Sequence, residues 1–148
     1  MPGRGSDRQF EFHGLLGLVR VARPGGRVGI VVRAIDLPFW VNLPLDPALK
    51  AKVDAPGIIG GGAAPKGVAD MSLYRRLAAL GLTGLKCFPQ MVSVVPGSER
   101  IQRYQQQILA ILTPAETEAF RQAVAAAERD GTFFIAQVYH CAVGTKPA

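Results

Sequence analysis

The stretch Val19-Arg20-Val21-Ala22-Arg23-Pro24-Gly25-Gly26-Arg27-Val28-Gly29-Ile30-Val31-Val32 decides the fold reading. Its first residues suit the end of a helix. Pro24 cannot continue that helix, and Gly25-Gly26 supplies the positive φ that a turn needs. Val28 to Val32 is then continuously apolar, the pattern of a strand covered on both faces by helices in an α/β sheet.

Outward from this turn, the chain offers room for one core. Its 148 residues are 49% hydrophobic and 19% charged, which suits a single folded domain and excludes global disorder. We read residues 1–148 as one domain: a frayed segment over 1–9, a helix-strand-loop-helix-strand region over 10–95, a helical insertion over 96–130, and a final strand with a tail over 131–148. The net charge is +6, but the Lys and Arg residues are scattered, without a basic block or interleaved aromatics. Nucleic acid is therefore not the favoured partner. No run reaches the ~18 apolar residues of a membrane span, and no apolar leader opens the chain. Cys87 and Cys141 lack metal-ligand spacing and read as free thiols in a reducing, cytoplasmic setting.

Local signals place the remaining elements. A helix fits Phe10 to Ala22, with Phe12, Leu15, Leu16 and Val19 on one side, weakened by Gly14 and Gly17 by about 1 kcal/mol each. Asp46 caps a short helix with Pro47 at its first position, running to Val53. Gly57 to Gly67 is a glycine-rich loop. Asp70 or Ser72 starts a helix carrying Leu73, Leu77 and Leu80, which Gly81 ends. Leu82 to Val95 reads as a strand region that Pro89 breaks or bulges. Ser98 caps a helix with Ile101, Tyr104, Ile108 and Leu112 on one face. Thr113-Pro114-Ala115-Glu116 is a capping box for a third helix, reaching about Arg129 with Phe120, Val124 and Ala127 inward. Thr132 to Val143 is the last strand.

The order helix, Arg23-Pro24-Gly25-Gly26-Arg27 turn, strand, crossover helix ending in Leu80-Gly81-Leu82, strand, helical pair and closing strand resembles the C-terminal half of a class I S-adenosylmethionine-dependent methyltransferase. In that family a leucine-x-proline-glycine-glycine turn precedes the fifth strand; here Ala22 stands in place of the leucine. The resemblance implies an α/β fold with a partial Rossmann-like sheet. Its strands would resemble the fifth, the sixth and the antiparallel seventh, with flanking helices. Residues Ser98 to Arg129 would be a two-helix, lid-like insertion. It also implies a small-molecule substrate and S-adenosylmethionine as methyl donor.

The family holds the donor mainly with a glycine-rich loop after its first strand and an acidic residue ending its second. These 148 residues show no such loop. Gly57 to Gly67 fails the dinucleotide fingerprint because Pro65 stands where the last glycine belongs, and it fails the phosphate-loop pattern around Lys66. We therefore assign no cofactor-binding residue, and expect the chain alone to lack methyl-transfer activity. The strand Val28 to Val32 would keep an unpaired edge, which implies a second copy or a complementary N-terminal half as partner.

Candidate substrate-binding residues follow the first strand. Arg33 and Asp36 stand at or just past its carboxyl end, where open α/β sheets bind ligands. Trp40 and Asn42 lie on the same loop, an indole and an amide suited to a small-molecule pocket. Alternatively, Trp40 plugs the core and Asn42 caps a turn. His140 reads as a hydrogen-bonded structural histidine or a general base. Tyr74, Arg75 and Arg76 suit a solvated helix face with one packing ring. No catalytic set and no metal cluster is assignable.

Overall fold

The computed structural model describes residues 6–59 and 68–148, with side chains described over 14–59 and 69–148. The protein is mixed α/β, and its chain divides into two compact units. The first comprises Met1–Ala34, Ala63–Gln90 and Tyr139–Ala148; the second comprises Ile35–Gly62 and Met91–Val138.

In the first unit, helix α1 (Ser6–Val21) begins inside the segment expected to fray. It leads through the Pro-Gly-Gly turn into β1 (Arg27–Ala34). Gly25 has φ +73°, and the Gly26 N–H donates to the Arg23 carbonyl over 2.8 Å. A Cβ on Gly26 would stand 2.7 Å from that same carbonyl oxygen, so only glycine fits. The turn is tied to the far end of the chain. Gly25 N–H donates to the Lys146 carbonyl and Lys146 N–H to the Gly26 carbonyl, each over 2.9 Å. The Lys146 ammonium donates to the Arg20 and Ala22 carbonyls at the end of α1, a lysine serving as C-terminal cap.

These bonds continue the pairing of β1 with the last strand, β5 (Ile135–Thr145). The two are antiparallel in an unbroken register from Arg27↔Thr145 to Arg33↔Tyr139. At the other edge of β1, Arg33 and Ala34 pair in parallel with β3 (Val68–Ala69). The short helix α3 (Ser72–Ala78) follows, with the Asp70 carboxylate accepting the Ser72 N–H and Gly81 turning the chain at φ +71°. Leu15, Ile30, Leu73, Leu77 and Ala142 form this unit's apolar cluster.

Strand β1 corrects one expectation. It is not buried on both faces: Val28 and Ile30 are buried, whereas Gly29 and Val31 are exposed. A continuously apolar run signals a strand, but the helices available decide how many faces are covered. Here α1 and α3 supply the cluster around Ile30 alone. Strand β4 (Thr83–Val94) corrects another, running through Pro89 without a break. Among the described residues β4 pairs only with β5, and a strand at a sheet edge tolerates proline. Nearly all of β4 is exposed, including Phe88.

In the second unit, β2 (Trp40–Val41) pairs antiparallel with the first residues of β5, Trp40↔Ala136 and Val41↔Ile135. Helix α2 (Pro47–Asp54) starts as expected: the Asp46 carboxylate accepts the Ala48 and Leu49 N–H groups. Helix α4 (Glu99–Leu109) has Ser98 as its cap, and α5 (Pro114–Arg129) has the full capping box. The three helices place Leu49, Val53, Ile101, Tyr104, Ile108, Phe120 and Ala127 in one cluster with Phe39, Val41, Phe133 and Ile135. The last strand starts three residues later than expected. Thr132 N–H closes the end of α5 on the Ala127 carbonyl, and Asn42 takes the carbonyls of Thr132 and Phe134. Of the glycine-rich loop, Gly57 to Ile59 form a turn with Ile59 buried; residues 60–67, Lys66 among them, lie outside the described residues.

Two measurements check this account. Gly26→Ala should lower stability by more than about 1 kcal/mol in urea, because the turn cannot relax without moving the Arg23 carbonyl. The second concerns Glu116, whose carboxylate is held below its ordinary range, first by the Lys52 ammonium and then by the Thr113 N–H. A lowered folded-state value stabilises above the ordinary carboxylate range and loses that contribution as pH falls through it. Glu116→Gln keeps a capping side chain but removes the charge. Its deficit against the natural protein should therefore be present at pH 7 and vanish towards pH 3, read from urea midpoints at stepped pH.

Candidate functional site

The four candidate residues divide between the units. Arg33 lies near the carboxyl end of β1 in the first, half-buried, with its backbone registered against Tyr139 on one side and Val68 on the other. Asp36, Trp40 and Asn42 belong to the second. Asp36 is half-buried in the loop after β1 and is engaged by other groups.

Trp40 is not the core plug that one reading allowed. Strand alternation at β2 sends Val41, fully buried, into the cluster and leaves the indole 50% exposed. Phe39 takes the core position, its ring edge-on to Tyr104 with centroids 5.9 Å apart. Asn42 is committed to structure. Its amide donates to the Thr132 carbonyl over 2.8 Å, and its backbone N–H donates to the Phe134 carbonyl. The loop is braced further by Asp54. Its carboxylate accepts the Val41 N–H over 2.8 Å and the Lys50 ammonium, and its carbonyl accepts the Phe39 N–H. The result is a rigid turn that displays one aromatic ring. A half-exposed indole beside fixed backbone can stack on a flat apolar or cationic small molecule.

The first unit holds a buried polar pair that the sequence named only separately. His140 is 2% exposed on β5, and its Nδ1 lies 2.8 Å from the Tyr74 hydroxyl on α3. The rings meet edge-on with centroids 5.0 Å apart. Tyr74 is thus the packing ring expected of its helix, and His140 is the hydrogen-bonded structural histidine rather than a base open to a ligand. Alternation along β5 flagged His140; the 66 residues separating it from Tyr74 left no local signal for the pairing. The second unit has a counterpart in Tyr104, whose hydroxyl donates to Gln137 Oε1 over 2.6 Å.

Among the described residues no group of His, Cys, Asp or Glu is arranged to hold a metal ion. Two glycines are required by close packing: a Cβ on Gly26 would meet Arg23 at 2.7 Å and one on Gly144 would meet Leu82 at 3.0 Å. Both close approaches are to the protein itself. Gly57, at φ +84°, turns the chain after a helix and not after a strand. No described helix is long and apolar enough to cross a membrane. A scan against protein-family models finds no match, and a search of curated proteins finds none either.

Both cysteines are free, Cys87 exposed and Cys141 buried, and desolvation pushes both thiols up. A thiol-disulfide reagent at pH 8 should therefore modify one thiol per chain rapidly and the second only with unfolding. Mass mapping should place the fast label on Cys87; fast labelling of Cys141 would contradict its burial.

Proposed function

We propose that this chain is the substrate-side part of a methyltransferase-like α/β fold. It positions a small-molecule acceptor against the loop bearing Trp40 and does not itself hold S-adenosylmethionine. The observation that carries the reading is the antiparallel pairing of β5 with β1. A closing strand returns antiparallel to the strand that follows the Pro-Gly-Gly turn, after a crossover helix, β4 and a two-helix insertion. This is the strand sense the resemblance implies for the last strand. The parallel β1–β3 contact and the α/β composition agree with it.

In this reading the chain's own residues bind and orient. The Trp40 face supplies apolar contact, while the Asp54 and Asn42 hydrogen bonds keep its turn from moving. Positioning is much of what methyl transfer asks of an enzyme when the acceptor is already nucleophilic. Asp36, in the same unit and on the chain segment leading to this turn, is the charged candidate for selecting an acceptor.

Titration calorimetry with S-adenosylmethionine tests the donor half of the proposal: no stoichiometric binding is expected, and tight one-to-one binding would refute it. Trp40 tests the acceptor half, being the only tryptophan of the chain. Within a panel of small phenols, thiols and amines, at least one should shift its emission to shorter wavelength. An unshifted spectrum across the panel would remove the acceptor site.

A further inference from the structure

The two faces of the β1–β5 pair are covered unequally. Residues directly opposite one another in an antiparallel pair share a face. Ile30 and Ala142 point to the face that Leu15 of α1 and Leu73 and Leu77 of α3 cover, and His140 on that face meets Tyr74 of α3. The alternate residues Arg27, Gly29, Val31 and Arg33 point to the other face, beside Cys141 and Val143 of β5. There Arg27 and Gly29 are exposed, Val31 is 70% exposed, and Arg33 and Val143 are half-buried. These exposures belong to side chains standing above the sheet, so they do not depend on what lies beside the edge of β1.

The charge of this unit is one-sided as well. Over its described side chains, residues 14–34, 69–90 and 139–148, it carries eight Lys and Arg residues and a single Asp or Glu. That one, Asp70, accepts the Ser72 N–H at the start of α3. Among the described residues, no ion pair or hydrogen bond engages the guanidinium of Arg27 or Arg33. Six residues apart on one face, the two arginines stand about 20 Å apart at ~3.3 Å per residue, with Val31 between them.

We propose that this face takes an amphipathic helix of another protein, aliphatic along its inner stripe and acidic at both ends of that stripe. Helices are what cover the faces of α/β sheets, as α1 and α3 do on the opposite side. At 1.5 Å per residue, a helix crosses the interval between the arginines in about 14 residues. Carboxylates at that separation on one side of the helix would meet Arg27 and Arg33, and the stripe between them would cover Val31 and Val143. The proposal is independent of the acceptor site at Trp40, which lies in the second unit. A second copy of this chain fits poorly, because two such faces would set arginine against arginine with no carboxylate between them. RNA fits the cations, but Val31 and Val143 offer no ring for base stacking, and Tyr139 beside Arg33 is half-buried and engaged by other groups.

Fluorescence anisotropy and methyl NMR test this on the full chain. The labelled probe is Glu-Ala-Gln-Ala-Leu-Ala-Gln-Leu-Ala-Gln-Ala-Leu-Ala-Gln-Glu, held helical by a hydrocarbon staple in place of its last two Gln residues. One control carries Lys in place of both Glu residues, and another moves the three Leu residues to different sides of the helix. The probe should bind at least about tenfold tighter than either control, and more weakly with added salt. It should shift the methyl signals of Val31 and Val143 and leave that of the covered Ile30 in place. Val31→Asp should weaken binding at least about tenfold. Arg27→Glu and Arg33→Glu combined should reverse the preference between the Glu and Lys peptides while leaving the circular dichroism spectrum unchanged. If the double variant misfolds, the control peptides and the methyl shifts still decide on the natural protein. Equal binding of either control, no binding of the probe, methyl shifts confined to other residues, or tighter binding of poly(U) would overturn the proposal. So would dimers at micromolar concentration that Val31→Asp dissociates, because the face would then belong to a second copy.

Discussion

The antiparallel register between β1 and β5 is the constraint on which the first unit depends. Seven residue pairs run from Arg27↔Thr145 to Arg33↔Tyr139, and the register admits no slip. Side chains on a strand alternate, so a shift by one residue would turn Ile30 and Ala142 out of the apolar cluster and His140 away from Tyr74. The register is set at one end by a mechanical stop. The Pro-Gly-Gly turn closes on Arg23 too tightly for any side chain at Gly26, and Lys146 bonds to both glycines and to the last carbonyls of α1. Helix end, turn, strand start and chain end are thereby fixed in one knot of hydrogen bonds.

Local chemistry was the most legible part of this chain. Asp46, Ser98 and the Thr113–Glu116 box cap the helices that their positions imply, and Gly81 ends the one before it. These signals act within four residues and need no tertiary context. The misreadings all concern what lies across space. The apolar run in β1 announced a strand, yet the helices present cover one face of it. Pro89 announced a break or a bulge; the strand runs on without a break, and a strand with a single partner tolerates proline. Leu16 was placed with Leu15 on the inner side of α1, whereas it is exposed; among the described side chains of α1, Leu15 joins the cluster.

The candidate site was legible as a set of residues but not as roles. Composition identified Trp40 and Asn42 as a ring and an amide on one loop. It could not say that alternation at a two-residue strand would expose the ring, nor that the amide would be spent on Thr132. His140 was visible from its place in the last strand, while its partner was set by the packing of α3. The tie between the turn and Lys146 was invisible for a further reason: the first unit is assembled from three separated segments, so Lys146 meets Arg20 and Ala22 only in the fold.

That assembly also bears on how the protein is made. The strand β1 leaves the ribosome long before β5 exists; the Lys146 ammonium and the Ala22 carbonyl it bonds are 124 residues apart. During synthesis, the edge of β1 that pairs with β5 therefore stays uncovered for most of the chain's emergence. Long-range strand pairing of this kind is slow to form and vulnerable to association while it waits. The second unit, by contrast, is nearly complete before its last strand segment appears. Folding on the ribosome should thus proceed from the middle of the chain, with the first unit closed last by the C-terminal strand.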